Sequence, residues 1–214
     1  MPQIALFFLD MVVFLFSLSL HEAAHAWMAD RLGDPTGRHL GRITLNPIPH
    51  IDVFGTLIFP AIGFFTGAPM FGWAKPVPWD PRNVKDRRQA DILISAAGPI
   101  SNMLAFLGFL LLIKLFRFYL RADASFLGTA AEPLYLMCML GVQLNVILAV
   151  FNLLPIPPLD GSWILPHFLP SALASGYEKL RPYGFMILFL CMMMGVFRVV
   201  LFPFLAVVDT LIKL

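Results

Sequence analysis

The sequence predicts an all-α polytopic membrane protein, built as a single domain over residues 1–214. Of its 214 residues, 59% are hydrophobic and only 13% are charged, and the mean hydropathy is +0.80. Four apolar runs are long enough to cross a hydrocarbon core of about 30 Å. These runs are Ile4–Ala29, Ile92–Ile113, Leu134–Leu154 and Gly184–Ile212. We expect about four full transmembrane helices, a re-entrant segment and a small membrane-associated β element.

The first run, Ile4–Ala29, is predicted to stay in the membrane as a helix. No lysine or arginine precedes it, which argues against a cleaved signal peptide. Arg31, Arg38 and Arg42 follow it. Because cytoplasmic loops carry the excess of lysine and arginine, the first helix is expected to run from the outside to the cytoplasm.

The next apolar segment, Val53–Phe65, is short and interrupted by Gly55, Pro60 and Gly63. Apolar segments of about 10 to 14 residues are more often re-entrant or interfacial than spanning. A dip and return places most basic residues on the cytoplasmic side, whereas a full crossing divides them evenly. We therefore expect a re-entrant segment that packs against the helices, since its backbone needs cover.

The later runs then cross in alternate directions. Ile92–Ile113 is expected to run outward and Leu134–Leu154 to return, which brings Asp160 to the cytoplasmic side. The last run, Gly184–Ile212, exceeds one crossing and contains Pro203. It is either one kinked helix or two short helices.

The first run ends on the pattern His21-Glu22-Ala23-Ala24-His25. Two histidines four residues apart project from one helix face, so both imidazoles can reach a single Zn²⁺, with the glutamate as general base. A charged side chain at mid-bilayer costs about 2 to 3.5 kcal/mol, which favours a functional role. The alternative is a set of polar residues near a helix end that lean out to the interface.

Asp160 is the candidate for a third metal ligand, because a catalytic zinc takes three protein ligands and keeps one position open. Three prolines between positions 155 and 158 exclude a regular helix. The chain should therefore leave the helix near Leu154 and direct Asp160 into the bundle. The alternative is a solvated loop carboxylate. Asp52 and Asp91 are competing candidates, but both lie beside basic loop residues.

Other polar residues in the apolar runs allow more than one interpretation. Asn152, at a predicted helix end, can donate to a developing oxyanion or serve as a cap or interhelical contact. Asn102 and Asn145 are interpreted as structural. Asp10 and Ser17 fall on the helix face of the two histidines and form a polar stripe. Asp10 lies about 16 Å along the helix from the first histidine, too far to share its metal.

Taken together, the two motifs resemble those of the site-2 protease family of intramembrane zinc metalloproteases. They are His21-Glu22-x-x-His25 and Asn152-x-x-Pro155-x-x-x-x-Asp160-Gly161, and residues 41–47, 50–56, 72–78 and 97–102 are also similar. The resemblance implies that His21, His25 and Asp160 bind one Zn²⁺, that Glu22 is the general base and that Asn152 stabilises the oxyanion. It also implies that Arg42–Leu45 forms the family's membrane-associated β element beside an unwound substrate. The resemblance is to compact members of the family, so we expect no PDZ-like or CBS domain of the kind that larger relatives carry.

The resulting hypothesis is zinc-dependent hydrolysis of a peptide bond in or next to a transmembrane segment of a membrane protein substrate. The active site is expected toward the cytoplasmic side of the cell membrane. The main rival is a membrane zinc transporter or sensor that uses the same ligands without hydrolysis. An inactive membrane scaffold, or a hydrolase acting on lipid or another amide, are further alternatives. The expected partners are the transmembrane protein substrate and the lipid bilayer. Nucleic-acid binding is not expected, because the net charge is only +2. The oligomeric state is left open.

Overall fold

The computed structural model describes residues 3–67, 72–122 and 128–213, and within these ranges the chain is helical without a β-strand. Short 3₁₀ turns cover Ile48–His50, Leu165–Phe168 and Arg181–Tyr183, and the π-helical segment Val53–Ile58 leads into the third α-helix. In chain order the α-helices are α1 (Gln3–Arg31), α2 (Thr36–His39), α3 (Phe59–Thr66), α4 (Arg87–Ala122), α5 (Gly128–Asn152), α6 (Gly161–Ile164), α7 (Ser171–Glu178), α8 (Gly184–Met193) and α9 (Val196–Lys213).

Three of the described helices are long and apolar enough to cross a membrane. They comprise Gln3–Arg31, Arg87–Phe118 and Glu132–Asn152. The predicted all-helical architecture is therefore confirmed, but the fourth full span is not. The C-terminal helices form a pair bent by 68°, and a fourth crossing exists only if this pair crosses as one unit.

The last apolar run is divided at Gly195. This glycine has a φ of +72°, in the left-handed region that commonly ends a helix. Its N–H donates to the carbonyl of Met192 at 3.0 Å, which closes the last turn of α8. Pro203 lies inside α9 without ending it. The run is thus two helices, divided at the glycine rather than at the proline.

The core is formed by α1, α4 and α5, which pack against one another, and by α9, which packs against α5 and α4. A buried apolar cluster joins α4, α5 and α9, comprising Phe106, Ile113, Cys138, Val142, Val146, Val208 and Ile212.

Two basic residues of α4 contact the end of α9. Lys114 Nζ donates to the carbonyl of Leu211 at 2.7 Å, and the Arg117 guanidinium donates to the carbonyl of Ile212. The last carbonyls of a helix have no partner within the helix and carry its negative dipole end. Lys114 and Arg117, which follow the outer end of the predicted outward run Ile92–Ile113, therefore satisfy the carboxyl end of α9.

Helix α1 ends and helix α4 begins at the same end of the bundle. Ala29, near the end of α1, packs in one buried cluster with Ala90 and Ile94, near the start of α4. The intervening segment therefore makes no net crossing.

That segment descends along α1 and returns. The rings of Phe64 and Phe65 at the end of α3 lie 5.2 and 5.1 Å from the ring of Phe7, near the opposite end of α1. Ala74 then packs against the middle of α1, and Trp79 against the cluster at its end. Residues 72–79 thus run back along α1 without helical structure, which is the path expected of a re-entrant segment.

The predicted β element at Arg42–Leu45 is not confirmed, because residues 43–45 form bends and Arg42 lies in irregular structure. Gly41, with a φ of +66°, turns the chain just before them. The carbonyl of Thr44 is 3.0 Å from Nε2 of His50, and the hydroxyl of Thr44 accepts from the N–H of Asn46 at 3.1 Å. Such local hydrogen bonds compete with a strand ladder for the same groups.

Candidate metal centre

His21, His25 and Asp160 bring three ligand atoms together at one point. The Nε2 atoms of the two histidines are 3.0 Å apart. Oδ2 of Asp160 lies 3.2 Å from Nε2 of His21 and 3.5 Å from Nε2 of His25. Among the described residues these three form the group that could hold a metal ion.

Asp160 reaches the histidines because the chain folds back on the end of α5. The N–H of Ile156 bonds to the carbonyl of Leu154 at 2.8 Å, and Asp160 precedes the short helix α6. A β-carbon built on Gly161 would lie 2.2 Å from the carbonyl oxygen of Leu153. Only glycine permits this approach, which turns the proline-rich segment toward α1.

Hydrogen bonds at the far side of each imidazole determine the tautomer. Nδ1 of His21 is 2.6 Å from Oδ1 of Asn102, and Nδ1 of His25 is 2.6 Å from the carbonyl of Ile94. Both partners are acceptors, so each Nδ1 carries the proton and each Nε2 presents a lone pair. The two lone pairs face each other and the carboxylate of Asp160. These groups repel one another unless a cation lies between them.

The donor set and its spacing fit zinc. Ligand atoms at about 2.0 to 2.1 Å from a tetrahedral ion are separated by about 3.3 Å, close to the distances between the three atoms here. Oδ2 of Asp160 is buried and has no hydrogen-bond partner among the described residues. Two imidazoles and one carboxylate also leave the fourth position that a catalytic zinc requires.

Glu22 and Asn152 lie in the same cavity as the three candidate ligands. The cavity has a volume of about 450 Å³ and lies between α1, α4, α5 and the return segment 72–79. Oε2 of Glu22, a buried side chain, accepts from the N–H of Val77 at 3.2 Å. Nδ2 of Asn152 donates to the carbonyl of Leu148 at 3.0 Å. A side-chain amide has two N–H groups, so a second donor of Asn152 remains.

The return segment forms one wall of this cavity and is fixed by alternate residues. The N–H of Trp73 donates to the carbonyl of Gly55 at 3.1 Å, and the N–H of Lys75 to the carbonyl of His50 at 2.9 Å. The buried Arg42 guanidinium donates to the carbonyl of Lys75. Burial lowers the pKa of both Arg42 and His50.

The two competing carboxylates have other partners. Oδ1 of Asp52 accepts from the N–H of Gly55 at 2.8 Å and caps the segment before α3. Asp91 is buried and also lines the cavity, but its Oδ2 lies 3.0 Å from Nε2 of His167 and 3.8 Å from Nε of Arg87.

Sequence reasoning assigned no site role to Asn102, which contacts His21 directly. Asn102 also donates to Asn145 at 2.8 Å, and both amides are fully buried, as is Ser17 beside them. The sequence did indicate that Asn102 has a partner, because a buried amide in an apolar helix is unfavourable unless it is hydrogen-bonded. It did not identify the partner.

The fold is a bundle of apolar helices. Its site combines two histidines of one helix with a carboxylate from a distant part of the chain, and a glutamate lies beside them. These features together define a membrane-associated metalloprotease. The chain matches the model of Peptidase family M50 over residues 10–195, and it belongs to that family, the site-2 proteases. The predicted family, enzyme class and zinc cofactor are thereby confirmed.

Two relatives carry matching descriptions. The chain is 38% identical over 205 residues to "Putative zinc metalloprotease YwhC" of Bacillus subtilis (strain 168), covering 95% of this chain and 89% of that protein. It is 33% identical over 188 residues to "Putative zinc metalloprotease Rip2" of Mycolicibacterium smegmatis, covering 87% of this chain and 67% of that protein. No solved structure matches.

Proposed function

We propose that this zinc metalloprotease hydrolyses peptide bonds within or next to transmembrane segments of membrane protein substrates. His21, His25 and Asp160 hold the zinc in this proposal. The observation that supports it is the convergence of the Asp160 carboxylate with the two Nε2 atoms, in a cavity that also contains Glu22. The cavity lies among helices long enough to cross a membrane.

The chemistry divides between the metal and two side chains. Zinc, when bound, acts as a Lewis acid that polarises the scissile carbonyl and lowers the pKa of water. Glu22 takes a proton from the attacking water and passes it to the leaving amine. Its hydrogen bond from Val77 fixes the carboxylate in the cavity. Asn152 donates to the developing oxyanion, a contribution of about 3 kcal/mol in other enzymes.

A transmembrane substrate must unwind before cleavage, because a helix keeps its carbonyls in hydrogen bonds. The return segment offers a backbone partner for the unwound chain. Trp73 and Lys75 donate their N–H groups to the carbonyls of Gly55 and His50. Ala74 and Pro76 also line the cavity, where Ala74 can offer its N–H and its carbonyl and Pro76, which has no N–H, can offer its carbonyl. We assign this segment the substrate-binding role that the sequence suggested for Arg42–Leu45.

The active site faces the cytoplasm in this proposal. Basic residues cluster in the chain that joins α1 to α4 at the end of the bundle where the candidate ligands lie, as the positive-inside rule requires. At the opposite end, Lys114 and Arg117 are engaged with the end of α9. A membrane-impermeant thiol reagent should therefore label an Arg82→Cys variant in spheroplasts only after lysis. Labelling in intact spheroplasts would contradict the orientation.

The experiment that tests proteolysis uses purified protein in proteoliposomes with a single-helix membrane protein as substrate. Glu22→Gln should retain bound zinc and lose cleavage, because it removes the base and leaves the ligands. Glu132→Gln, at an exposed position of α5, serves as the matched control and should cleave like the wild type.

The same vesicles distinguish the rival functions. A transporter predicts zinc flux that survives in Glu22→Gln, measured with a zinc-sensitive dye inside the vesicles. Cleavage by Glu22→Gln at the wild-type rate would contradict the assigned base, and a wild type that cleaves lipid but not the helix would contradict the assigned substrate.

A further inference from the structure

A closed polar cluster lies behind His21, away from the cavity. It consists of Ser17 on α1, Asn102 on α4 and Asn145 on α5, none of which has any exposed surface. Buried polar groups are costly unless they are hydrogen-bonded, and these three residues bond to one another across three helices. Among the residues that the structure describes, one hydrogen bond links the cluster to the metal centre, the 2.6 Å contact between Oδ1 of Asn102 and Nδ1 of His21.

The hydrogen bonds of this cluster have a fixed direction. Nδ2 of Asn145 donates to the carbonyl of Gly141 at 2.8 Å and to Oγ of Ser17 at 2.9 Å, which leaves Oδ1 of Asn145 as an acceptor. Nδ2 of Asn102 donates to that oxygen at 2.8 Å and to the carbonyl of Ser17 at 3.2 Å. Both N–H groups of Asn102 are thus used, and its oxygen must face His21.

Rotation of the Asn102 amide by 180° is excluded by the same contacts. A flipped amide would place its oxygen against two acceptors, the carbonyl of Ser17 and Oδ1 of Asn145. The amide would also present N–H groups to Nδ1 of His21. Because Oδ1 of Asn102 can only accept, the proton of the imidazole is held on Nδ1 and the lone pair of Nε2 points to Asp160.

We propose that Asn102 is a positioning residue for the metal centre, which fixes the tautomer and ring orientation of His21, and that Asn145 and Ser17 orient Asn102. The inference rests on the proposed role of His21 as a zinc ligand. Groups that hydrogen-bond the outer nitrogen of a ligating histidine typically change metal affinity by about 10- to 100-fold when removed.

The second histidine is positioned by different means. Nδ1 of His25 contacts the backbone carbonyl of Ile94 at 2.6 Å, which no side-chain substitution removes. Loss of Asn102 should therefore loosen one ligand of three and weaken zinc binding without abolishing it. A purely structural role, as an interhelical hydrogen bond, would lower the stability of the fold and leave the affinity of the folded protein unchanged.

Two substitutions of Asn102 separate positioning from stability. Asn102→Leu removes the acceptor for His21 at similar volume, whereas Asn102→Asp keeps an acceptor and loses both donors to the cluster. Asn145→Leu is the matched control, because Asn145 belongs to the same cluster but does not contact His21. Asn102→Ala replaces the leucine variant if that variant fails to fold.

Three quantities are measured on purified, detergent-solubilised protein. They are the zinc affinity by chelator competition, the visible absorption of the Co²⁺-substituted protein, and the thermal midpoint of the metal-free form. We expect every variant to lower the midpoint. Zinc affinity should fall about 10- to 100-fold in Asn102→Leu with an altered Co²⁺ spectrum, stay near wild type in Asn102→Asp, and fall less in Asn145→Leu.

The inference is overturned if Asn102→Leu binds zinc as tightly as the wild type, or if the leucine and aspartate variants lose affinity equally. Either result in a zinc-binding wild type would leave the proposed proteolysis intact. A wild type that binds no zinc would overturn both the proposed function and this inference.

Discussion

Gly98 of α4 lies directly against His21 of α1, at the point where the candidate ligands meet. A β-carbon built on Gly98 would lie 2.6 Å from Nε2 of His21 and 2.5 Å from Nε2 of His25. Real β-carbons do not approach other atoms so closely, so a side chain at this position would displace both imidazoles. The absence of a side chain at Gly98 therefore allows the two imidazoles to adopt the positions from which they could hold an ion.

Gly98→Ala should therefore abolish zinc binding and cleavage. Gly108→Ala is the matched control on the same helix, since a β-carbon there would meet nothing within 4 Å. The control should keep zinc and activity, and it should gain up to about 1 kcal/mol of stability because alanine is the better helix former. Zinc content by mass spectrometry and cleavage rate test the pair. Full zinc occupancy in Gly98→Ala would contradict the position of the metal centre.

Asn152→Ala should lower kcat by about 100- to 1000-fold while zinc content stays at the wild-type level, because the amide is assigned to the oxyanion and not to the metal. Gln143→Ala, at an exposed position of the same helix, is the control and should leave kcat unchanged. Single-turnover cleavage separates kcat from KM. A change confined to KM would indicate that Asn152 binds substrate and does not stabilise the transition state.

Asp34 is expected to stabilise the loops around the return segment. This fully buried carboxylate accepts from Oγ1 of Thr36 at 2.6 Å, from the N–H of Asp80 at 2.8 Å and from Nδ2 of Asn83 at 2.7 Å. Asp34→Ala should cost about 2 kcal/mol, because it leaves buried donors without partners. Asp80→Ala in the same loop should have little effect, since the Asp80 side chain pairs with the exposed Arg82. Thermal midpoints in detergent compare the two.

The contribution of Asp34 should also depend on pH. Burial alone would raise the pKa of Asp34, but the hydrogen bonds from Thr36, Asn83 and Asp80 outweigh it and hold the pKa below its ordinary value. A depressed pKa in the folded state stabilises the protein above the unfolded pKa of about 3.9, and the gain is lost as pH falls toward the folded pKa. The midpoint difference between wild type and Asp34→Asn should thus shrink below about pH 4. A difference independent of pH would contradict this assignment.

Lys114→Met should lower stability by about 1 kcal/mol, because it removes the donor to the carbonyl of Leu211 at the end of α9. Lys213→Met serves as the control. Lys213 pairs with Asp209 on the exposed surface of α9, and such pairs contribute little. Midpoints of thermal unfolding test both variants, and equal losses would show that the α9 contact is not the cause.

The candidate site could be predicted from the sequence because its parts are local patterns. The spacing of His21 and His25 fixes one helix face, and the prolines before Asp160 fix a break in the helix. What the sequence could not supply was the packing of α4 against α1. Asn102 and Gly98 contact His21 because α4 packs against α1 at this point, and no local pattern in the sequence of α4 indicates those contacts.

The fold was predicted less completely for similar reasons. Hydropathy predicted about four spans, of which three are confirmed, because these depend on apolar length. The re-entrant segment between α1 and α4 stays a prediction, with which the path of residues 53–79 agrees. Hydropathy does not predict the positive φ of Gly195, which divides the last run into two helices. It also does not predict the local hydrogen bonds of Thr44, which compete with strand formation at Arg42–Leu45. Both outcomes depend on conformations of single residues.

The most direct measurement is the zinc content of purified protein, wild type beside Asp160→Ala, with Asp209→Ala as a control carboxylate on the exposed surface of α9. If two histidines and a carboxylate from a separate segment hold one ion, the wild type and Asp209→Ala should each carry one zinc per chain, and Asp160→Ala should lose most of it. An Asp160→Ala protein that is folded and still carries one zinc would contradict the account.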